Sequence, residues 1–219
     1  SLDGKLARKI GVSSLFGKEI DSLADVVSFC LAPSVLIFNV MNFFSPMYIA
    51  IGTLNFFVLA ILCSFPLLMG AIRLARFNVE HDEENTKQYY DGLPTPMAAI
   101  AICALMMMQI NLNNILIYDS SYVAITNISS QLLLPSIILL SFLMIGKIQF
   151  SKFPLLSFSK GTSNSIRLVL TLIGLVALGV SSMIGLLHIA LFLFSAYYIL
   201  SNILFHFINN SIQLNHLRE

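Results

Sequence analysis

Charged residues are scarce in this chain, and their scarcity excludes several classes of protein. Only 11% of the 219 residues are charged, whereas 57% are hydrophobic and the mean hydropathy is +0.86. A soluble domain carries roughly 25% charged and about 45–50% apolar residues. The composition therefore excludes a soluble globular domain, a disordered chain and a nucleic-acid-binding protein. It leaves a polytopic membrane protein, because one membrane helix needs about 20 apolar residues.

The chain also has few cysteines and no cleavable leader pattern. Cys30, Cys63 and Cys103 form no CxxC pair and have no histidine cluster beside them. We interpret them as small hydrophobic core residues. Residues 1–21 are polar and basic, and no apolar segment precedes them, so they do not resemble a signal peptide. No internal repeat or low-complexity tract divides the sequence, which predicts a single domain over residues 1–219.

Long apolar runs dominate the remainder of the chain, and six of them can cross the hydrocarbon core of a bilayer. They do not alternate apolar and polar residues as the wall of a barrel must. Backbone groups in lipid must be satisfied within the segment, so the runs are predicted to be helices. We therefore expect an all-α, polytopic transmembrane helix bundle with spans at about 22–41, 47–72, 94–112, 129–146, 166–182 and 184–207.

The basic residues orient these spans. All 12 lysines and arginines lie near the termini or around the loops at 73–93 and 147–165, and the intervening loops carry none. Loops rich in lysine and arginine face the cytoplasm. We expect both termini and these two loops on the cytoplasmic side of the cytoplasmic membrane.

Carboxylates stand where a membrane span should have none. Asp25 lies about one turn inside the first span, where an ionised carboxylate is costly unless it is paired or metal-bound. Asp21 and Gly17 precede it at four-residue intervals and so share its helix face. Asp3 lies upstream, close enough in sequence to converge on the same surface. Three carboxylates favour a hard cation such as Mg²⁺ or Mn²⁺, and Arg8 beside them suits phosphate. The alternative is a polar cap in which these acids pair with nearby lysines.

Arg73 and Arg76 end the second span three residues apart. They either anchor the span by snorkelling or bind a carboxylate or phosphate in bidentate fashion. Asn78 would add an amide contact. The stretch 92–95 predicts a helix start, whose free N–H groups either face an anion or have no such role.

Other polar residues have simpler interpretations. His188 and His206 in the last span are interpreted as helix-contact residues. Six acidic residues fall in predicted loops and indicate solvated linkers, namely Glu80, Asp82, Glu83, Glu84, Asp91 and Asp119.

One spacing carries a family resemblance. The residues Asp3-Gly4-x2-Ala7-Arg8-x8-Gly17-x3-Asp21-x3-Asp25 resemble the signature of the CDP-alcohol phosphatidyltransferase family. The similarity extends over residues 1–100. Three further stretches, 21–29, 73–78 and 92–96, resemble the branch of this family whose acceptor is L-serine. The resemblance implies membrane enzymes in which two adjoining helices bind a pair of divalent metals and the CDP diphosphate at the cytoplasmic face.

The resemblance also implies roles for single residues. Asp25 would complete a metal shell or accept the proton of the alcohol. Mg²⁺ or Mn²⁺ would be held by Asp3, Asp21 and Asp25. The CDP moiety would lie against Gly4, Ala7, Arg8 and Gly17. Serine or a phosphate would be contacted by Arg73, Arg76 and Asn78.

The expected reaction is transfer of a phosphatidyl group from the membrane lipid CDP-diacylglycerol to L-serine, with release of CMP. Glycerol phosphate or an inositol species is the alternative acceptor, and an ion-coupled transporter using Asp21 and Asp25 is the alternative class. The sequence leaves open whether the chain acts as a monomer or a homodimer. The family signature begins with another aspartate that would precede Ser1, so we expect N-terminal helices of the family to be missing. Cys30 stands where that branch usually shows glycine.

Overall fold

The computed structural model describes residues 15–44, 53–79, 89–118, 123–151 and 162–216. Within them the chain is helical, apart from two short strands and the connecting turns. The elements in order are α1 (Leu15–Val26), a π-helical turn (Val27–Leu31), α2 (Ala32–Phe44), α3 (Thr53–Cys63), α4 (Phe65–Val79), β1 (Tyr89–Asp91), α5 (Thr95–Tyr118), α6 (Val123–Ile145), β2 (Gln149–Ser151), α7 (Thr162–Met183) and α8 (Leu187–His216).

The all-α, membrane-spanning architecture predicted from the sequence is confirmed. Helical segments long and apolar enough to cross a membrane run over Glu19–Asn42, Phe56–Val79, Thr95–Ile115, Ile128–Ile145 and Leu187–Ile208. The span predicted at 166–182 corresponds to α7, whose apolar part, Thr171–Met183, is shorter than the other five. The second predicted span is displaced toward the C-terminus, because α4 continues to Val79.

Helix α5 lies at the centre of the bundle and packs against α2, α6 and α8. Helix α4 packs along α6, and α7 packs against α8. The shared core is built from fully buried apolar side chains, including Ile37, Met97, Ile102, Met106 and Ile137. Cys30 and Cys63 are buried and Cys103 is half-buried, all as free thiols, which agrees with their predicted role in the core. Many large apolar side chains point outward, as expected where lipid replaces water.

The second span is broken between α3 and α4. Pro66 has no N–H to donate and cannot continue the hydrogen-bond ladder of α3. The N–H of Leu67 donates instead to Ser34 Oγ on α2, 3.1 Å away. A polar side chain of the neighbouring helix thus satisfies a backbone group beside the break, as lipid-embedded helices require.

The first and second spans are in close contact at Gly70 on α4. A Cβ at this position would collide with the Cys30 sulphur and would lie 3.0 Å from Met144 Cε. Cys30 belongs to the π-helical turn and is fully buried. Gly70 therefore leaves room for the sulphur of Cys30. Cys30 itself occupies a position where the serine-accepting branch that the chain resembles usually has glycine.

Strands β1 and β2 form an antiparallel ribbon that the sequence did not predict. Its register pairs Tyr89 with Ser151, Tyr90 with Phe150 and Asp91 with Gln149. The ribbon joins the α4–α5 connection to the α6–α7 connection. We call the end of the bundle that carries it the ribbon end.

Candidate active site

Two of the predicted carboxylates lie on one face of α1. Asp21 and Asp25 are four residues apart in continuous α-helix, and Gly17 precedes them on the same stripe. Asp21 and Gly17 are exposed, whereas Asp25 is half-buried. The π-helical turn begins two residues after Asp25, and such turns are frequent at functional sites. Asp3, Gly4, Ala7 and Arg8 lie outside the described residues.

A reciprocal pair of hydrogen bonds ties α1 to the end of α4. Asn78 Nδ2 donates to Ser22 Oγ at 2.8 Å, and the Ser22 hydroxyl donates to Asn78 Oδ1 at 3.2 Å. Ser22 follows Asp21 directly, so this pair brings the carboxylate face of α1 to the same end of the bundle as Arg73 and Arg76. Asn78 thus has a positioning role that the sequence did not suggest, while its predicted contact with serine or phosphate stays a prediction.

Arg73 and Arg76 line one cleft at the ribbon end. Arg73 is only 9% exposed, and Arg76 is half-buried. The walls combine both arginines with an acid and apolar side chains, namely Ile72, Arg73, Arg76, Phe77, Asp91, Met144 and Ile145. Simple snorkelling would carry both guanidinium groups out toward water. Arg73 is buried in a cleft instead, so snorkelling alone does not describe its position, and the predicted contact of the arginines with serine or phosphate stays a prediction.

Asp91 also lines this cleft, a position that sequence reasoning missed. It was interpreted as part of a solvated linker, and this was wrong, because it lies half-buried in β1 and lines the cleft of Arg73 and Arg76. The physical reason is the ribbon, which folds the α4–α5 connection back onto the helices. The signal for the ribbon in the sequence is weak, because only Gly92, next to Asp91, indicates a turn.

The ribbon is held against α8 by polar and aromatic contacts. The Ser151 N–H donates to Asn202 Oδ1 at 2.8 Å, and the Tyr198 hydroxyl donates to the Ser151 carbonyl at 3.0 Å. Phe150 is fully buried and stacks on Tyr198 with ring centroids 6.0 Å apart. The Gln149 N–H approaches His206 Nδ1 at 3.4 Å, so His206 contacts the ribbon.

The predicted helix start at 92–95 is confirmed, since α5 begins at Thr95. The N–H groups just before it are not open to an anion, however. Gly92 N–H donates to the Ile148 carbonyl and Leu93 N–H to the Leu143 carbonyl, both at 2.9 Å. These bonds join the turn to the end of α6. The turn therefore positions Asp91 and does not present these two donors to a phosphate.

The predicted metal site lies only partly within the described residues. They contain no group of three or more histidine, cysteine or acidic side chains that would hold an ion. The two carboxylates on α1 are oxygen donors of the kind that Mg²⁺ and Mn²⁺ prefer. They fit such an ion as two of its ligands, and the predicted third ligand, Asp3, lies outside the described residues.

Comparison with known proteins places the chain in a family. The family model for CDP-alcohol phosphatidyltransferase matches residues 1–127. The chain is 33% identical to the CDP-diacylglycerol–serine O-phosphatidyltransferase of Helicobacter pylori over 154 residues, which is 69% of this chain and 55% of that protein. It is 37% identical to the protein of the same name from Methanocaldococcus jannaschii over 154 residues, 70% of this chain and 59% of that protein. The protein of this name from Bacillus subtilis is 34% identical over 152 residues, 69% of this chain and 67% of that protein.

These matches show that the chain belongs to the CDP-alcohol phosphatidyltransferase family. It spans about half the length, 55%, of the first Helicobacter pylori relative. No solved structure shows a significant match.

Proposed function

We propose that this protein transfers a phosphatidyl group from CDP-diacylglycerol to L-serine and releases CMP. The observation that carries the proposal is the cleft of Arg73 and Arg76, which lies at the same end of the bundle as the carboxylate face of α1. A carboxylate-bearing acceptor needs a cation beside the reacting phosphate, and the arginines supply two. The names of the Helicobacter, Methanocaldococcus and Bacillus relatives, all serine transferases, support the same acceptor.

The proposed reaction is a single displacement. The serine hydroxyl oxygen forms a bond to the phosphorus that carries diacylglycerol, and the bond from that phosphorus to the bridging oxygen of CMP breaks. Asp25, half-buried on α1, accepts the hydroxyl proton, a step typically worth about 10²- to 10⁴-fold in rate. The bridging oxygen leaves with CMP and retains the electron pair of the broken bond.

The carboxylates Asp3, Asp21 and Asp25 would hold Mg²⁺ or Mn²⁺ in this proposal. The ions would neutralise the diphosphate and stabilise CMP as the leaving group. The CDP moiety would lie along α1 and the segment before it, against Gly4, Ala7, Arg8 and Gly17. Small residues there would let the substrate approach the backbone, and the guanidinium group of Arg8 would bind phosphate through paired hydrogen bonds.

Other acceptors remain the alternative within the family. Glycerol phosphate and inositol would use the same displacement, but inositol carries no carboxylate for the two arginines. The ion-coupled transporter loses its basis, because the family membership points to group transfer. The discriminating experiment measures CMP release from the intact protein with L-serine, glycerol phosphate and inositol. CMP release with either of the latter two, and none with serine, would overturn the serine assignment.

Arg73→Ala and Arg76→Ala are expected to raise the KM for serine roughly 10- to 150-fold. This factor corresponds to the loss of a charge-assisted hydrogen bond, about 1.5–3 kcal/mol. The KM for CDP-diacylglycerol should change little. Arg76→Lys keeps the positive charge but removes the planar guanidinium group that can bind a carboxylate through two hydrogen bonds. It should therefore recover only part of the affinity for serine that Arg76→Ala loses. Steady-state CMP release at varied concentrations of each substrate measures both constants.

Lys147→Ala is the matched control for the arginine variants. Lys147 is an exposed cation beside the ribbon and does not line the cleft. Its removal should leave both KM values within about twofold, as for a solvent-screened surface charge. If the arginine variants raise the KM for CDP-diacylglycerol instead of that for serine, the arginines bind phosphate and the serine site lies elsewhere.

The proposed location is the cytoplasmic membrane, with the ribbon end in the cytoplasm. All 12 basic residues flank this side of the predicted topology. Single cysteines replacing Ser45 and Asp119, in a background without the three native cysteines, should react with an impermeant thiol reagent added to intact cells. A cysteine replacing Lys152 should react only after lysis. The reverse labelling pattern would place the cleft away from cytosolic nucleotide and contradict the proposed orientation.

A further inference from the structure

The cleft at the ribbon end carries charges of both signs. Among the described residues that line it, Arg73 and Arg76 are cationic and Asp91 is anionic, and the remaining walls are apolar. Serine as a free amino acid also carries both signs, a carboxylate and an ammonium bonded to the same carbon. A site with cations alone would bind the carboxylate and would repel the ammonium.

We propose that Asp91 binds the ammonium group of the acceptor and thereby selects an amino acid over other hydroxyl compounds. The inference rests on the proposed function, since it names the second contact of the same acceptor. In this arrangement Arg73 and Arg76 meet the carboxylate from α4, and Asp91, which lines the same cleft, meets the ammonium from β1. The hydroxyl is then the part of the acceptor left to face the reacting phosphate.

The backbone on both sides of Asp91 is fixed, which a specificity residue requires. Asp91 pairs with Gln149 in the ribbon, and the next two N–H groups donate to the carbonyls of Ile148 and Leu143. Gly92 sits at φ +82° against the end of α6. The carboxylate is therefore held by a turn whose backbone is fixed by hydrogen bonds, although this turn lies in a connection between helices.

The same charge acts against the competing acceptors. Glycerol phosphate carries no ammonium and brings two negative charges, which Asp91 would repel. Inositol offers no charge to either side of the cleft. A carboxylate placed beside two arginines thus serves both to attract the right acceptor and to exclude a wrong one.

The alternative role for Asp91 is structural, as an anion that orients the two arginines. The two roles differ in one measurable respect. A residue that orients the arginines affects every carboxylate-bearing acceptor equally. A residue that binds the ammonium affects only acceptors that carry one.

The experiment compares L-serine with 3-hydroxypropanoate, which is serine without its amino group. Each compound is tested as acceptor and as inhibitor of the reaction with the other, in wild type, Asp91→Asn and Asp91→Ser. We expect both variants to raise the KM for serine about 10- to 150-fold, the range for loss of a charge-assisted contact. The affinity for 3-hydroxypropanoate should stay within about twofold or increase, and the KM for CDP-diacylglycerol should not change.

Two controls separate the outcomes. Gln149→Ala alters the cross-strand neighbour of Asp91 without changing charge, and it should leave the preference for serine intact. Asp91→Glu keeps the charge and should retain most of the preference. Equal losses for serine and 3-hydroxypropanoate in Asp91→Asn, or no loss for either, would overturn the inference while leaving the serine reaction itself in place. Failure of the wild-type protein to use serine would instead reject the proposed function.

Discussion

Asp21→Asn and Asp25→Asn are each expected to lower CMP release by about 10²- to 10⁴-fold, with the protein still inserted in the membrane. The factor is the usual contribution of a general base, and a lost metal ligand acts at the same step. Asparagine has nearly the same shape as aspartate, so packing of the half-buried Asp25 should be preserved. Turnover is measured with saturating CDP-diacylglycerol and serine, before and after addition of excess EDTA.

Glu19→Gln provides the matched control on the same helix. Glu19 is an exposed acid of α1 two residues before Asp21, and it lies off the stripe shared by Asp21 and Asp25. Its neutralisation removes the same charge from the same surface and should leave turnover within about twofold. Full activity in EDTA would contradict metal dependence. Equal losses in Glu19→Gln and Asp21→Asn would show a general charge effect at the surface.

The spans were predictable from the sequence because burial in lipid demands long apolar runs. The third predicted span, 94–112, lies within the described helix Thr95–Tyr118 except for its first residue, and Pro94 and Thr95 marked its start. The carboxylate stripe of Asp21 and Asp25 was predictable as well, since helical periodicity places residues four apart on one face. These features depend on local sequence alone.

The ribbon was not predictable, because its strands have three residues each and lie far apart in the chain. Such short segments show no hydrophobic period, and their pairing is formed by backbone groups that carry no sequence signal. The position of Asp91 follows from that pairing and was missed with it. The same holds for Ser22 and Asn78, which are 56 residues apart and bond only because α1 and α4 pack together.

Replacement of Gly92 by alanine is expected to lower the free energy of unfolding by about 2–5 kcal/mol. Gly92 has φ +82°, a conformation that costs roughly 1–2 kcal/mol for a residue with a Cβ. A Cβ here would also collide with the Met144 carbonyl oxygen and lie 2.9 Å from that of Gly146. Both obstacles are backbone atoms at the end of α6 and cannot rotate away, so an overpacking cost of about 1–3 kcal/mol is added. Denaturant unfolding in detergent micelles measures the loss.

Gly185→Ala separates the two contributions. Gly185, between α7 and α8, has φ +80°, and nothing lies within 4 Å of the Cβ it would acquire. It should therefore lose only the conformational term, about 1–2 kcal/mol. The excess loss at Gly92 is the clash with α6, and relief of that clash must move the turn that presents Asp91. The KM for serine should consequently rise in Gly92→Ala and remain unchanged in Gly185→Ala. Equal losses of stability and equal serine KM values in the two variants would show that the end of α6 does not fix the turn at Gly92.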